Sequence, residues 1–416
     1  MERETDSSSK GWISKRSKGL NISNIVPPED APVFNLSDSG SFRDGLLHIS
    51  AEGCSVSAPT DVLMAGASPF PGTPPASTKS STSVKRAHKS DEVRFELNHS
   101  DFYLLEVIGK GACGYVRKAF RKSTNEMFAL KVINVFDVEK RKQMMQEILL
   151  MCDAQCESLI QFHGAFYNEG AISVVLEYMT AGSVADVLKI AHSIPEPVLC
   201  VMARQLGEGL AWMHAHKQVH RDLKPCNMLL DHSGRVKITD FGVSAELDTS
   251  SIKCTTFVGT YLYMSPERFG NEPYSFPSDV WALGLSLLEC GSGEYPYQLR
   301  GGGRNYWELM DRIVKEDPPC LPPPAQHSPF QAFAARCLVK DPRLRATAAE
   351  LLDDPWIRDR GGAAAEEGRA ALAAWLASVR SSYLSPNLPA APNFTPAAAA
   401  GGFCCFLVSL LASPLR

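Results

Sequence analysis

The residues of this chain that can carry chemistry are concentrated in two short segments. Residues 220–227 read His-Arg-Asp-Leu-Lys-Pro-Cys-Asn, and residues 240–242 read Asp-Phe-Gly. Asp222 can accept the proton of a hydroxyl group, whereas Asn227 and Asp240 can offer an amide oxygen and a carboxylate to a metal ion. Transfer of a phosphoryl group to a hydroxyl requires this set, because the reaction depends on positioning and on the neutralisation of charge.

Both segments resemble the catalytic loop of protein kinases and the metal-binding motif that follows it. The resemblance implies ATP as the phosphoryl donor, Mg²⁺ as the metal ion and Asp222 as the catalytic base. Asn227 and Asp240 are then the expected Mg²⁺ ligands. Lys224, two residues after Asp222, is the residue typical of kinases that phosphorylate serine and threonine, and we expect it to act in catalysis.

A glycine-rich segment lies upstream, where a protein kinase covers the phosphates of its nucleotide. Gly109, Gly111 and Gly114, followed by Val116, fit the pattern G-x-G-x-x-G-x-V. Glycine allows backbone N–H groups to approach phosphates without an intervening Cβ. Dinucleotide-binding folds use the same glycine spacing, but they require a helix to begin at the last glycine. The strand-like residues after Gly114 favour a β-hairpin that covers phosphates.

A lysine and a glutamate are expected to complete the nucleotide site. Lys131 lies in the strand-like segment 128–132 and resembles the kinase lysine that contacts the α- and β-phosphates. Apolar residues at helical spacing predict a helix over residues 138–151. Within it, Glu147 is the expected partner of Lys131. Glu139 is the competing candidate, although acidic residues near a helix start are common for capping and dipole reasons.

The resemblance also implies an adenine site and an ion pair in the large lobe. The residues expected around the adenine base are Val116, Ala129, Leu229, Glu177 and Met179, the last two in the linker between the lobes. Downstream, Glu267 closes the activation segment and Arg345 belongs to a late arginine motif. In protein kinases these two positions form an ion pair, so we expect one here.

The kinase resemblance predicts an α+β, bilobal fold over residues 102–357, with a small β-rich lobe and a large helical lobe. Residues 1–100 are rich in Ser, Pro and Gly with little apolar periodicity, which predicts a disordered regulatory tail. Residues 358–416 form an alanine-rich tail. One amphipathic helix is predicted there from an apolar stripe of Leu372, Trp375, Leu376, Val379 and Tyr383.

Composition narrows the class of protein further. The formal net charge of −4 gives no indication of nucleic-acid binding. The 12 cysteines include no C-x-x-C pair, which favours a reducing compartment over a disulfide framework or a zinc site. We therefore expect a cytoplasmic protein. The polar N-terminus is no secretory signal, and the apolar run 403–411 is far shorter than the roughly 20 residues that span a bilayer, so no transmembrane segment is expected.

The segment after residue 240 is similar to that of the MAP kinase kinase family. Its marks are Asp-Phe-Gly-Val-Ser at 240–244, Phe-Val-Gly-Thr at 257–260 and Tyr-Met-Ser-Pro-Glu-Arg at 263–268. The plant-type branch of the family separates its two phosphorylation sites by five residues, and this spacing assigns them to Ser250 and Thr256. The neighbouring hydroxyl residues that remain alternatives are Thr249, Ser251 and Thr255.

The N-terminal tail carries a second mark of this family, a docking motif for MAP kinases. The motif joins a basic cluster to two apolar residues: Lys15, Arg16, Lys18, Leu20 and Ile22. The cations would meet an acidic patch, while the apolar side chains would enter a groove, with modest affinity because a disordered segment must be ordered on binding.

These resemblances imply a dual-specificity kinase that phosphorylates a Thr and a Tyr of a downstream MAP kinase and is activated by an upstream MAP kinase kinase kinase. Two alternatives remain, a Ser/Thr kinase of the related Ste20-type group and an inactive scaffold with a kinase fold. The intact set of Lys131, Glu147, Asp222, Asn227 and Asp240 argues against the scaffold. The Ser-Pro-Glu-Arg ending of the activation segment and the docking motif argue against a Ste20-type kinase.

Overall fold

The structure is a computed structural model that describes residues 35–36, 41–44, 47–57, 92–111, 114–134, 138–240, 260–270, 272–297, 306–323, 325–360 and 365–384. Within these residues, strands dominate the first half of the chain and helices dominate the second half. The prediction of a bilobal α+β fold, with a small β-rich lobe and a large helical lobe, is confirmed.

An antiparallel sheet forms ahead of residue 100, which we call the N-terminal sheet. Its strands, paired in sequence order, are β1 (Asn35–Leu36), β2 (Phe42–Asp44), β3 (Leu47–Ser50), β4 (Gly53–Ser57) and β5 (Glu92–Phe95). The prediction of a disordered tail over residues 1–100 is therefore wrong for these segments. Leu47 and Ile49 alternate along β3 and are fully buried, but two apolar residues are too short a pattern to predict a strand from sequence.

The central sheet of the small lobe carries the glycine-rich segment and Lys131. Its strands are β6 (Phe102–Gly111), β7 (Gly114–Arg121), β8 (Met127–Asn134), β9 (Phe162–Asn168) and β10 (Ala171–Glu177). All neighbours are antiparallel, in the order β6-β7-β8-β10-β9, so that β9 is an edge strand. Val116 lies opposite Lys131, and Ala129 lies opposite Leu176. The sheet thereby sets the residues of the nucleotide site in register.

Helix α1 (Val138–Asp153) lies between β8 and β9 in the chain, as the apolar spacing predicted. Its side chains at Met144, Ile148 and Met151 are buried at helical spacing, and this stripe joins the main apolar core. Glu147 lies beside the stripe and is also buried, with 3% exposure. A buried carboxylate needs a partner, and Glu147 has one in Lys131 of β8.

The large lobe consists of helices around a short antiparallel sheet. The strands of this sheet are β11 (Gly182–Ser183), β12 (Met228–Leu230) and β13 (Val236–Ile238). The helices are α2 (Val184–Ala191), α3 (Glu196–Ala215), α4 (Pro266–Phe269), α5 (Phe276–Ser292), α6 (Tyr306–Lys315), α7 (Pro329–Cys337), α8 (Ala348–Leu352) and α9 (Pro355–Arg360). Most of α5 is apolar all round and buried, including a fully buried Trp281, so this helix forms the centre of the lobe.

The alanine-rich tail contains helix α10 (Ala365–Leu384), at the position of the apolar stripe. Leu372 and Leu376 are buried, and the helix contacts α3 and α2. Its backbone also closes on the β12–β13 turn, where a Cβ on Gly234 would lie only 2.0 Å from the carbonyl oxygen of Arg369. The helix therefore packs on the large lobe. Across the described ranges, none of the helices is long and apolar enough to cross a membrane.

Candidate active site

The hairpin of β12 and β13 brings the two sequence motifs together. The catalytic loop ends at Asn227, directly before β12, and Asp240 follows β13 by two residues. Because the strands are antiparallel, with Met228 opposite Ile238, the start of β12 and the end of β13 lie at the same end of the hairpin. The Thr239 N–H donates to the carbonyl oxygen of Asn227 at 3.0 Å and extends this pairing.

A single buried carboxylate holds the backbone of the catalytic loop. Asp279 of α5 is 1% exposed and accepts hydrogen bonds from the backbone N–H groups of His220 at 2.8 Å and Arg221 at 2.9 Å. Its Oδ2 also lies 3.0 Å from Nε2 of His214 on α3. A buried carboxylate is tolerated when its oxygens are hydrogen-bonded in this way. The loop is therefore tied to two helices of the large lobe.

His220 connects the catalytic loop to the segment that carries Asp240. The ring is fully buried, and its Nδ1 accepts a hydrogen bond from the Asp222 N–H at 3.2 Å. Its Nε2 lies 3.0 Å from the carbonyl oxygen of Thr239, which can only accept. These two contacts require a neutral imidazole with its proton on Nε2. One side chain thereby sets the spacing between Asp222 and the end of β13.

Two neighbours orient the carboxylate of Asp222. Nζ of Lys224 lies 2.8 Å from each of its oxygens, and the amide nitrogen of Asn227 donates to Oδ2 at 3.0 Å and to the Asp222 carbonyl oxygen at 2.7 Å. The Asp222 side chain keeps 25% of its surface exposed, so a hydroxyl group can reach it. Because the amide nitrogen makes both contacts, the amide oxygen is the ligand atom that Asn227 can offer a cation.

Lys131 connects the small lobe to the metal-binding motif. Its Nζ lies 2.7 Å from Oε1 of Glu147, the predicted partner, and 2.8 Å from Oδ1 of Asp240. Burial alone would lower the pKa of Lys131, but the two carboxylates raise it above its ordinary value. Burial would raise the pKa of Asp240, and Lys131 outweighs that effect and lowers it. At neutral pH the lysine is therefore protonated and Asp240 is ionised.

Two residues of the site adopt a left-handed backbone conformation that side chains other than glycine rarely adopt. Arg221 has φ of 72° and Asp240 has φ of 59°. Such residues cost about 1–3 kcal/mol each and persist where the surroundings over-determine them. Here the Arg221 N–H is bound by Asp279, and the Asp240 carboxylate is bound by Lys131. Backbone strain at both motifs indicates that the site requires these two conformations, because a sequence selected for stability alone would avoid them.

The structure gives different reasons for the presence of glycine at the three positions of the β6–β7 hairpin. A Cβ on Gly114 would lie 1.9 Å from the carbonyl oxygen of Val132, so the packing of the sheet itself demands glycine. Among the described residues, a Cβ on Gly111 would meet no atom within 4 Å, and one on Gly109 would make only an ordinary contact with Val116 at 3.8 Å. The space beside Gly109 and Gly111 is open. A loop that covers phosphates requires this open space.

The residues expected around adenine lie on strands of both lobes. Val116 and Ala129 are on β7 and β8 of the small lobe, and Leu229 is on β12 of the large lobe. Each of these three is half-buried, which leaves apolar surface for a flat ring. Glu177 ends β10, and Met179 follows it with 4% exposure, so the linker begins directly beside this surface.

The side chain of Glu177 is anchored behind the linker by a lysine that sequence reasoning missed. Nζ of Lys237 lies 2.6 Å from Oε1 of Glu177, and the Gln161 N–H donates to the same oxygen at 2.7 Å. Glu177 is therefore expected to contact a nucleotide through its backbone. Lys237 is 3% exposed and stands between Val236 and Ile238 in the buried strand β13. The sequence signal that could have indicated a buried, paired lysine was its position between two apolar residues of a strand.

The predicted ion pair of the large lobe is confirmed. Nη1 and Nη2 of Arg345 lie 2.8 Å and 2.9 Å from the two carboxylate oxygens of Glu267 on α4. Burial would raise the pKa of Glu267, but the hydrogen bonds from Arg345 outweigh it and lower the pKa. The pair fixes the end of the activation segment. Residues 241–259, which include Ser250 and Thr256, and the docking motif at 15–22 lie outside the described residues.

The donor set of this site fits Mg²⁺ bound together with a nucleotide. Mg²⁺ prefers oxygen ligands and is usually held by one or two protein carboxylates or amides together with substrate phosphates. Asn227 and Asp240 offer an amide oxygen and a carboxylate of that kind. Elsewhere in the described part of the chain, no group of three or more His, Cys, Asp or Glu residues could hold a metal ion by itself.

Comparisons with known proteins agree with this geometry. A family model described as the protein kinase domain matches residues 102–357. Mitogen-activated protein kinase kinase 3 of Arabidopsis thaliana is 46% identical over 274 residues, which are 65% of this chain and 52% of the relative. Mitogen-activated protein kinase kinase SIPKK of Nicotiana tabacum is 39% identical over 352 residues, which are 83% of this chain and 92% of the relative.

A more distant relative carries a more specific name. Dual specificity mitogen-activated protein kinase kinase 1 of Dictyostelium discoideum is 30% identical over 367 residues, which are 65% of this chain and 55% of the relative. The chain thus spans about half the length of this relative and of the Arabidopsis kinase, and nearly the whole length of the tobacco one.

Proposed function

The chain belongs to the mitogen-activated protein kinase kinases, a family of protein kinases, and from this premise we propose that it phosphorylates both a threonine and a tyrosine in the activation loop of a MAP kinase. The family name supports a MAP kinase as substrate, and the name of the Dictyostelium relative supports dual specificity. A reducing, cytoplasmic location is consistent with the scattered cysteines.

The observation that carries the proposal is the contact of Lys131 with both Glu147 and Asp240, next to the Asp222–Lys224 pair. In the proposed reaction, Asp222 accepts the proton of the substrate hydroxyl as the oxygen attacks phosphorus. Lys224 holds the Asp222 carboxylate, and its proposed role is to stabilise the negative charge that builds up on the transferred group. These residues act by position and charge, which is the main source of catalysis in phosphoryl transfer.

The remaining residues are proposed to bind ATP and Mg²⁺. Asn227 and Asp240 would hold Mg²⁺, which when bound would neutralise the charge of the phosphates. Lys131 orients the α- and β-phosphates and is kept in place by Glu147. Gly109 and Gly111 allow the hairpin backbone to approach the phosphates, whereas Gly114 permits the close packing of the hairpin against β8.

The test is to map phosphates on a purified, catalytically inactive MAP kinase after incubation with the activated protein. We expect phosphate on both the Thr and the Tyr of the activation loop. Asp222→Ala should lower the rate by about 10²–10⁴-fold while ATP binding is retained, because the carboxylate contacts the hydroxyl and not the nucleotide. Asp311→Ala, which removes an exposed carboxylate on α6, is the matched control.

Other outcomes of the same experiment support the alternatives. Phosphate on Ser or Thr alone would favour a Ste20-type kinase. ATP binding without turnover in the wild type would favour an inactive scaffold. Normal activity of Asp222→Ala would exclude the proposed catalytic base.

We further propose that an upstream MAP kinase kinase kinase activates the protein by phosphorylating Ser250 and Thr256. Each phosphate adds roughly 1.5–2 negative charges and pairs with basic side chains such as Arg221, which would order the segment. Phosphosite mapping of the activated protein should find both residues modified. Modification of Thr249, Ser251 or Thr255 in their place would reject the plant-type spacing for this chain.

The basic and apolar motif at residues 15–22 is proposed to dock on the MAP kinase. Leu20→Ala with Ile22→Ala should lower kcat/KM on an intact MAP kinase by about ten- to a hundredfold, mainly through KM, because two apolar anchors contribute roughly 1–3 kcal/mol. Autophosphorylation needs no docking and should be unchanged. Val62→Ala with Leu63→Ala, a similar loss of apolar surface in the same tail, is the control. Equal losses in both assays would reject docking.

A further inference from the structure

The N-terminal sheet lies outside residues 102–357, which match the protein kinase domain, but it is continuous with the apolar core of that domain. Leu47 and Ile49 of β3 are fully buried, and Cys54 of β4 is 5% exposed. Burial raises the pKa of the Cys54 thiol to about 11, so this residue behaves as a small apolar side chain. A tail on the surface would not bury such residues, so the residues that bury them must belong to the small lobe.

The N-terminal sheet covers the edge strand of the small lobe. β3, β4 and β5 all contact β9, the last strand of the central sheet. The rings of Phe95 and Phe162 meet edge to face with centroids 5.1 Å apart. A Cβ on Gly164 of β9 would lie 3.2 Å from Cδ1 of Leu97 and 3.3 Å from Cβ of Phe95. The absence of a side chain at Gly164 therefore permits this close packing.

The same strand β9 contacts helix α1, which carries Glu147. Leu47, Ile49 and Cys54 belong to the same continuous core as Met144, Met145 and Ile148 of that helix. Protein cores are close-packed, so removing side chains that pack against β9 changes the packing available to α1, which contacts the same strand. The position of α1 in turn determines whether Glu147 can reach Lys131, which it does at 2.7 Å.

We propose that the N-terminal sheet is a positioning element for catalysis, in which Leu47 and Ile49 hold β9 and, through it, hold α1 with Glu147 against Lys131. Leu47 and Ile49 touch neither nucleotide nor substrate, and they act through the Lys131–Glu147 pair. The residues ahead of the kinase domain then form part of the catalytic unit, in addition to any docking role of the tail.

The first experiment compares Leu47→Ala with Ile49→Ala against an equal loss of core volume in the large lobe. Leu338→Ala with Leu351→Ala is the matched control, since both of these side chains are 1% exposed and lie in the large lobe, at the end of α7 and in α8. Each full-length double variant is assayed for ATP hydrolysis and for hydrogen exchange of the α1 amides. We expect kcat/KM for ATP to fall about fivefold or more only in the Leu47/Ile49 variant, with faster exchange in α1.

The conservative replacements Leu47→Met and Ile49→Val keep most of the buried volume, and they should restore both readouts. If the large-lobe control loses as much ATP turnover as the Leu47/Ile49 variant, the effect is general destabilisation and the proposal is wrong. An unchanged rate of hydrogen exchange at the α1 amides of the Leu47/Ile49 variant would also overturn the proposal. Neither readout requires a MAP kinase, so failure here is distinguishable from failure of the proposed substrate.

A second experiment asks whether the sheet acts through Glu147. The Leu47/Ile49 variant is combined with Glu147→Gln, and the affinity for Mg–ATP is measured by calorimetry in all four proteins. If the sheet works by holding Glu147, its substitution should add almost nothing once the Lys131–Glu147 pair is already lost. Additive losses of affinity would show that the sheet and Glu147 act independently, and they would reject the proposal.

Discussion

The two halves of the active site are held in different ways. In the large lobe, Asp279 fixes the catalytic loop through the backbone N–H groups of His220 and Arg221. In the small lobe, Lys131 depends on a side-chain contact with Glu147, which is carried by one helix. A loop bound through its backbone cannot move without leaving a buried carboxylate unpaired, whereas a side-chain ion pair opens when one helix shifts as a rigid body.

This difference makes the large lobe the fixed half of the site and the small lobe the adjustable half. The base and the expected metal ligands come from the fixed half, since Asp222, Asn227 and Asp240 all belong to the segments around β12 and β13. Lys131, which is proposed to bind the phosphates, comes from the adjustable half. Control of such a site is expected to act on α1 and on whatever supports it, which is why the N-terminal sheet matters.

The comparison is tested most strongly by removing one carboxylate from each half. Asp279→Asn should lower both the free energy of unfolding, by about 3–5 kcal/mol, and the activity, because an amide nitrogen would face the backbone N–H groups that now donate to a carboxylate. Glu147→Gln should lower activity at least about tenfold but cost under about 2 kcal/mol of stability, because Lys131 keeps its contact with Asp240. Urea unfolding and ATP turnover are measured on both variants.

Equal losses of stability in the two variants would contradict the distinction between a fixed and an adjustable half. Asp311→Asn, an exposed substitution of the same chemistry, controls for the loss of one negative charge.

The glycine-rich hairpin offers a finer test within the small lobe. Gly114→Ala should destabilise the fold by about 1–3 kcal/mol, because the added Cβ would overlap the Val132 carbonyl oxygen at 1.9 Å. Gly111→Ala should change stability by less than about 1 kcal/mol, since its Cβ would meet no atom of the described residues within 4 Å, but it should raise KM for ATP. Melting temperature and ATP kinetics are measured side by side. A stable Gly114→Ala protein with impaired ATP binding would assign that glycine to the nucleotide instead.

The pH dependence of stability tests the fixed half through Glu267. Arg345 lowers the pKa of Glu267, so the pair stabilises the folded protein above the ordinary carboxyl pKa of about 4.3 and loses its contribution as pH falls through the lowered folded value. The difference in free energy of unfolding between wild type and Glu267→Gln should therefore narrow below about pH 4.3, by about 1.4 kcal/mol for each pKa unit of the shift. Urea unfolding at several pH values measures it. If the difference in free energy of unfolding between the two proteins does not change with pH, the assignment of an ion pair is contradicted.

Sequence patterns predicted the residues of the site better than they predicted the contacts that hold those residues in place. Lys131, Asp222, Asn227 and Asp240 were predicted from motifs, because phosphoryl transfer restricts the residue types at fixed spacings. Glu147 was predicted from the helical spacing of its apolar neighbours. The pairing of Glu267 with Arg345 also followed from resemblance. In contrast, the lysine behind the linker and the N-terminal sheet were missed, since neither belongs to a motif with a chemical requirement.

The sequence by itself determined the chemistry, the bilobal class and the helix that carries Glu147, since these depend on local spacing and on residue type. Only the tertiary structure decided that Leu47 and Ile49 join the core of the kinase domain and that Lys237 anchors Glu177. Two apolar residues on a short strand, or one lysine on a buried strand, carry little local signal. Their roles arise from neighbours far away in the chain, and only folding brings those neighbours into contact.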